Sequence, residues 1–172
     1  MSVNELKNDV VSQEAKVQST LARSAIYQFL SLCFFEPKEK IFPALKSDEY
    51  LNNVQESLND YLALNSFNGK ASPELVSGFK ETLQLLKNRL KGKSFEDISA
   101  EYVKVLGSFS AAKECPVYEY FYGRTDIFQH TQSLQELADI GGFYRAFDLK
   151  LSEDTKDRFD HISIELEFMH FL

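Results

Sequence analysis

Val17-Gln18-Ser19-Thr20-Leu21-Ala22-Arg23-Ser24-Ala25-Ile26-Tyr27-Gln28-Phe29-Leu30-Ser31-Leu32-Cys33-Phe34-Phe35-Glu36-Pro37 is the stretch that decides the fold. Leu21, Ala25 and Leu32, with Ile26, Phe29, Leu30 and Cys33 alongside, recur at helical spacing rather than in the alternation of a strand. Pro37 ends the run, because a proline inside a helix removes a backbone donor and crowds the preceding turn. The apolar face is wide, and a helix apolar over so much of its circumference belongs in the middle of a bundle. Residues 1–16 before it are polar and weakly patterned. They read as a flexible N-terminal arm, leaving 17–172 as a single domain.

The same periodicity continues outward. A second helix over roughly 47–64 sets Tyr50, Leu51, Val54, Leu58, Tyr61 and Leu62 on one side. A third opens at Ser72-Pro73-Glu74, a capping residue, a proline at the first helical position and an acid for the helix dipole. It runs through Leu75, Phe79, Leu83, Leu86 and Leu90 to Gly92. Ser94 stands three residues ahead of Asp97 in the manner of a capping box and starts a fourth helix with Phe95, Ile98, Tyr102, Val105 and Leu106. Residues 107–128 form the long non-helical segment, and loops of that length in compact domains are usually functional. Helices follow at 131–147 and from Asp160 to the end. With strand alternation nearly absent, the expected fold class is all-α, a single-domain bundle of six to seven helices.

Composition bounds the function. The 172 residues are 44% hydrophobic and 26% charged, which is globular rather than disordered. A net charge of -7 and a pI near 5.0 exclude a phosphate-backbone binder and favour a cationic peptide as partner. The N-terminus has no basic and apolar leader pattern, and no long apolar run occurs, so the protein is expected in the cytoplasm without membrane insertion. Cys33 and Cys115 do not make a disulfide framework, although a bond between them is left open.

The chemistry-bearing residues gather in the last third. Glu114-Cys115-Pro116-Val117-Tyr118-Glu119-Tyr120-Phe121-Tyr122-Gly123 is a loop crowded with tyrosines, each an apolar ring with a polar tip suited to interfaces. Asp160-His161 is the sharpest polar pair; with a helix starting there, Glu165 lies one turn beyond His161 on the same face. The plainer reading is a capping Asp160 with His161 hydrogen-bonded to Glu165. Cys115 with His161 as base would make a small Cys/His enzyme with Glu165 in support, but Glu114 and Glu119 beside the thiol oppose its ionisation. Glu167 and His170 give the Glu-x-x-His spacing once, where a di-iron bundle needs it twice with two further carboxylates. No metal or other cofactor is therefore expected, and no catalytic residue. Gly141-Gly142 lacks the strand and further glycines of a phosphate loop and reads as a place of close helix approach.

Cys115-Pro116-Val117-Tyr118-Glu119, Leu137 to Phe147, and Asp160-His161-Ile162-Ser163-Ile164-Glu165-Leu166-Glu167-Phe168-Met169 together resemble the redox-enzyme maturation chaperones. These are the TorD-type proteins and the delta-subunit assembly proteins of respiratory nitrate reductase. The likeness is strong over residues 114–172 and compatible in helix pattern from residue 17. It implies an all-helical cytoplasmic chaperone that binds the twin-arginine signal peptide and the apo form of a molybdopterin oxidoreductase catalytic subunit. Such a chaperone holds that subunit during cofactor insertion and assembly. The family's peptide-binding positions fall on Pro116, Tyr118, Glu119, Asp160, His161 and Glu165, to which the tyrosine cluster adds Tyr122.

Carboxylates beside an aromatic trough suit a ligand with two arginines and an apolar stretch. Relatives continue for several helices past the Met169 segment, so the chain is either a fragment or a short member. The apolar Ile162–Leu172 stretch then predicts a homodimer through the C-terminal helix. A cofactor-free helical subunit of an oxidoreductase complex is the alternative, with the Cys/His enzyme behind it.

Overall fold

A computed structural model describes residues 3–65, 73–107, 116–122, 130–153, 155 and 157–172. Among them the order is α1 (Val3–Phe34), α2 (Phe42–Leu45), α3 (Asp48–Asn65), α4 (Pro73–Leu90) and α5 (Phe95–Tyr102). A π-helical turn, Val103–Gly107, continues α5, a 3₁₀ turn covers Glu119–Phe121, and α6 (His130–Ala146) and α7 (Ile162–Phe171) complete the chain. The fold is all-α, and no helix among the described residues is long and apolar enough to cross a membrane.

The central position expected of the first helix is observed: α1 packs against α3 on one side and α7 on another. Its inner contacts are Phe29 with Leu51, Val54 and Leu83, a core that α1, α3 and α4 build together, with Leu30, Tyr50, Phe79 and Leu86 around it. Two-sided packing leaves part of the apolar stripe uncovered, and Leu21 stays 59% exposed while Ala22 is buried. The helix also begins at Val3, taking in residues set apart by sequence as a polar arm. Cys33 is a free thiol, and Cys115 lies outside the described residues.

Local signals held where they were strongest. Ser94 accepts from the Asp97 amide at 3.1 Å while Asp97 accepts from the Ser94 amide at 3.0 Å, so the capping box satisfies two donors at the start of α5. Gly92, at φ 74°, takes the left-handed conformation that lets the chain leave α4 for that cap. The short α2 was not anticipated; its Phe42 is buried with its ring edge-on to Phe95 at 6.0 Å. Val105, expected on the buried side of the fourth helix, lies in the π-turn and is exposed, because widening the helix rotates the stripe away from the core.

Candidate functional site

The site is made where the residue 116–122 segment meets the start of α7. The Glu119 amide donates to the Asp160 carbonyl at 2.9 Å and the Ile162 amide donates to the Val117 carbonyl at 2.8 Å. This pairs Tyr118 with His161 in an isolated antiparallel bridge. Buried Val117 anchors the loop side. The Tyr122 hydroxyl closes the segment by donating to the Pro116 carbonyl at 2.8 Å. Pro116, Tyr118, Glu119, Tyr122, Asp160, His161 and Glu165 are thereby gathered at one end of the bundle, although the two groups are about forty residues apart in sequence.

The last helix starts two residues later than expected, and the cap is His161, not Asp160. His161 Nδ1 accepts from the Ser163 amide at 3.2 Å and lies 2.6 Å from the Ser163 hydroxyl. The His161 ring therefore bonds Ser163 and not the Glu165 carboxyl, while the Glu165 amide donates to the His161 carbonyl at 3.1 Å. A serine and a histidine so close resemble a nucleophile and its base, but both side chains are inaccessible, which leaves no approach for a substrate. Burial lowers the His161 pKa, against the raising influence of Asp157 and Asp160, so the ring is held neutral. From α1, Ser31 donates to the Ser163 carbonyl at 2.9 Å and fixes this end of α7.

Asp160 is buried as completely as His161, and its charge is met by a residue the sequence reading passed over. Arg158 donates through Nε to Oδ1 at 3.0 Å and through Nη2 to Oδ2 at 2.9 Å, a bidentate fork. Its guanidinium also lies 4.6 Å from the centre of the Tyr118 ring. Tyr118 stands edge-on to His161 at 4.8 Å, and its hydroxyl donates to Asp157 at 3.3 Å. The signal for Arg158 was its place two residues before Asp160, but nothing in sequence says that the side chain folds back.

Outside this buried layer stands an acidic one. Glu165, in the first turn of α7, is half-buried and faces the carboxyl of exposed Glu119. Burial first, then the Glu119 and Asp160 charges, push its pKa up to about 7. Buried Tyr144 of α6 faces the same carboxyls, and burial with their charge raises its hydroxyl to about 12. Tyr144 is held by Phe159 and Phe168 at 6.0 and 4.9 Å between ring centres.

The ring of Tyr144 also lines an apolar groove of about 930 Å³ between the end of α1, the α6–α7 connection and α7. Leu32, Phe35, Leu149, Ile164 and Phe168 form its walls. Tyr144 is thus shared between the carboxyls and the apolar trough, an arrangement that suits a cation with an apolar neighbour. His170 is engaged by Ser24 at 2.7 Å, and among the described residues no three His, Cys, Asp or Glu are grouped to hold a metal ion.

A family model described as nitrate reductase delta subunit matches residues 72–172. A perchlorate reductase assembly chaperone protein from Dechloromonas aromatica (strain RCB) is 26% identical over 171 residues, covering 99% of this chain and 67% of that protein. No solved structure matches.

Proposed function

From the premise that the chain belongs to the nitrate reductase delta subunit family, we propose that it is an assembly chaperone for the catalytic subunit of a molybdopterin oxidoreductase. It is a binding protein rather than an enzyme, with residues 17–172 acting as one domain in the cytoplasm. It binds the client's basic and apolar leader, a twin-arginine signal peptide, while the cofactor is inserted.

The observation that carries this reading is Tyr144, which lines the apolar groove and also faces the carboxyls of Glu119 and Glu165. A guanidinium between the two carboxyls would offset the burial and like-charge effects that raise Glu165, and the trough offers burial to the apolar residues that follow. Glu119, Glu165, Tyr118 and Tyr122 face the ligand in this reading. His161 and Pro116 hold the loop and the helix start in register. A homodimer through α7 belongs to the same proposal.

Titration calorimetry with a synthetic peptide of two arginines followed by an apolar segment tests it. Binding should weaken at high salt, because part of the attraction is between exposed charges. Glu119→Gln with Glu165→Gln should weaken it about tenfold or more. Absence of binding at low and high salt would remove the leader reading. Co-purification separates a chaperone, which leaves its client after cofactor loading, from a permanent subunit of the complex.

A further inference from the structure

We propose that Asp160 and the Tyr118 ring form a guanidinium subsite, which Arg158 fills in the free protein and yields to an arginine of the ligand. This rests on the leader-binding reading above and adds to it a residue that controls access. A guanidinium is recognised by a carboxylate that meets its planar fork with two parallel bonds and by an aromatic face below the plane. Both are present: the fork distances are 3.0 and 2.9 Å, and the ring centre is 4.6 Å from Cζ.

The two partners of the ion pair differ in a way that matters. The Asp160 side chain is 1% exposed and that of Arg158 is 44% exposed. The carboxylate is the fixed half. Its own carbonyl accepts from Glu119, and the next residue caps α7 and donates its amide to the Arg158 carbonyl, so these backbone bonds do not involve the Arg158 side chain. Tyr118 is fixed likewise by the bridge to His161 and by its bond to Asp157. The arginine is the movable half, on a flexible stem with its head partly in solvent, and it can swing aside without disturbing backbone.

Exchange of one guanidinium for another keeps the buried charge paired throughout, which a lysine cannot do with the same two bonds. Arg158 thus lowers apparent affinity while enforcing a preference for arginine over lysine.

Removing the plug tests the inference. N-methylguanidinium at millimolar concentration should raise the melting temperature of Arg158→Ala and leave the unaltered protein unchanged, and methylammonium should do neither. Should Arg158→Ala fail to fold alone, folding on addition of N-methylguanidinium is the same positive result. Arg158→Lys keeps a charge beside Asp160 but loses the fork, and it should bind the Arg-Arg peptide about tenfold more tightly than the unaltered protein, with no gain for a Lys-Lys peptide.

Equal or weaker binding of the Arg-Arg peptide to Arg158→Lys overturns the plug. An Arg158→Ala protein indifferent to N-methylguanidinium overturns the subsite. Rescue by N-methylguanidinium with no peptide bound by any of the proteins would keep the subsite and remove the leader reading alone.

Discussion

The carboxyl of Glu165 in α7 faces that of Glu119, which the Tyr118–His161 bridge holds near it. Burial and the facing Glu119 and Asp160 charges favour the protonated form of Glu165. The folded-state pKa of Glu165, about 7, stands above its ordinary 4.5, so the folded protein keeps a proton that the unfolded chain gives up. Its stabilising contribution is complete below 4.5 and is lost as pH rises toward 7. Glu165→Gln should therefore melt higher than the unaltered protein at alkaline pH, by about 1 kcal/mol once solvent screening of this half-buried group is allowed for. The difference should vanish in mild acid. Thermal scans across that range give the answer, and a pH-independent difference would contradict the raised Glu165 pKa.

His161 has the opposite slope. Its pKa is depressed by burial from 6.5, and Nδ1 must stay unprotonated to accept the Ser163 amide. Its contribution is present above 6.5 and is lost as pH falls through the lower folded value. His161→Ala should cost about 2 kcal/mol by loss of the cap and flatten the acid limb of the stability profile. His161→Asn, which keeps a capping acceptor, should recover part of that stability. Equal melting of the two variants would show that the cap contributes nothing.

These two residues also mark where sequence reading succeeds and stops. The Ser94–Asp97 box was legible because both partners lie within one turn, and the α3 and α4 stripes because burial follows a fixed period. Leu21 misled because periodicity identifies an apolar stripe without saying how much of it neighbours cover. The π-turn after Tyr102 and the short α2 leave too few residues for a period to register. At the site, residue types were legible and roles were not. Asp160 and His161 read as a capping or peptide-binding pair with no sign of their burial, while Arg158 escaped notice, because the bridge between 118 and 161 joins distant segments that carry no local signature.

The glycine pair in α6 offers a test by contrast. A Cβ on Gly141 would lie 3.2 Å from the Phe159 ring, whereas one on Gly142 meets nothing within 4 Å. What Gly141 meets is the Phe159 ring of the α6–α7 connection rather than a helix, so the close helix approach expected from sequence is not what this contact provides. Gly142→Ala should stabilise by about 1 kcal/mol through helix propensity. In Gly141→Ala that gain is opposed by displacing Phe159 from Tyr144, so it should melt below Gly142→Ala. Chemical denaturation of both proteins compares them directly, and equal gains would show that the Phe159 ring shifts freely.

The end of the bundle carries the last prediction. Phe143, Phe147, Phe168 and Phe171 form a chain of ring contacts between α6 and α7, with centres 5.2 to 6.4 Å apart. Yet Phe143 remains 53% and Phe171 56% exposed, and Met169 and Leu172 lie open beside them. Apolar surface that is contiguous rather than scattered favours covering by another surface. The chain should self-associate there, with an apparent mass by light scattering that rises with concentration. Phe143→Ser combined with Phe171→Ser should remain monomeric at the same concentrations, because both residues touch the patch from opposite helices and neither belongs to the Phe29–Leu51 core. A chain that stays monomeric at high micromolar concentration would mean that ring-to-ring contacts within one molecule suffice, and would remove the case for a dimer through α7.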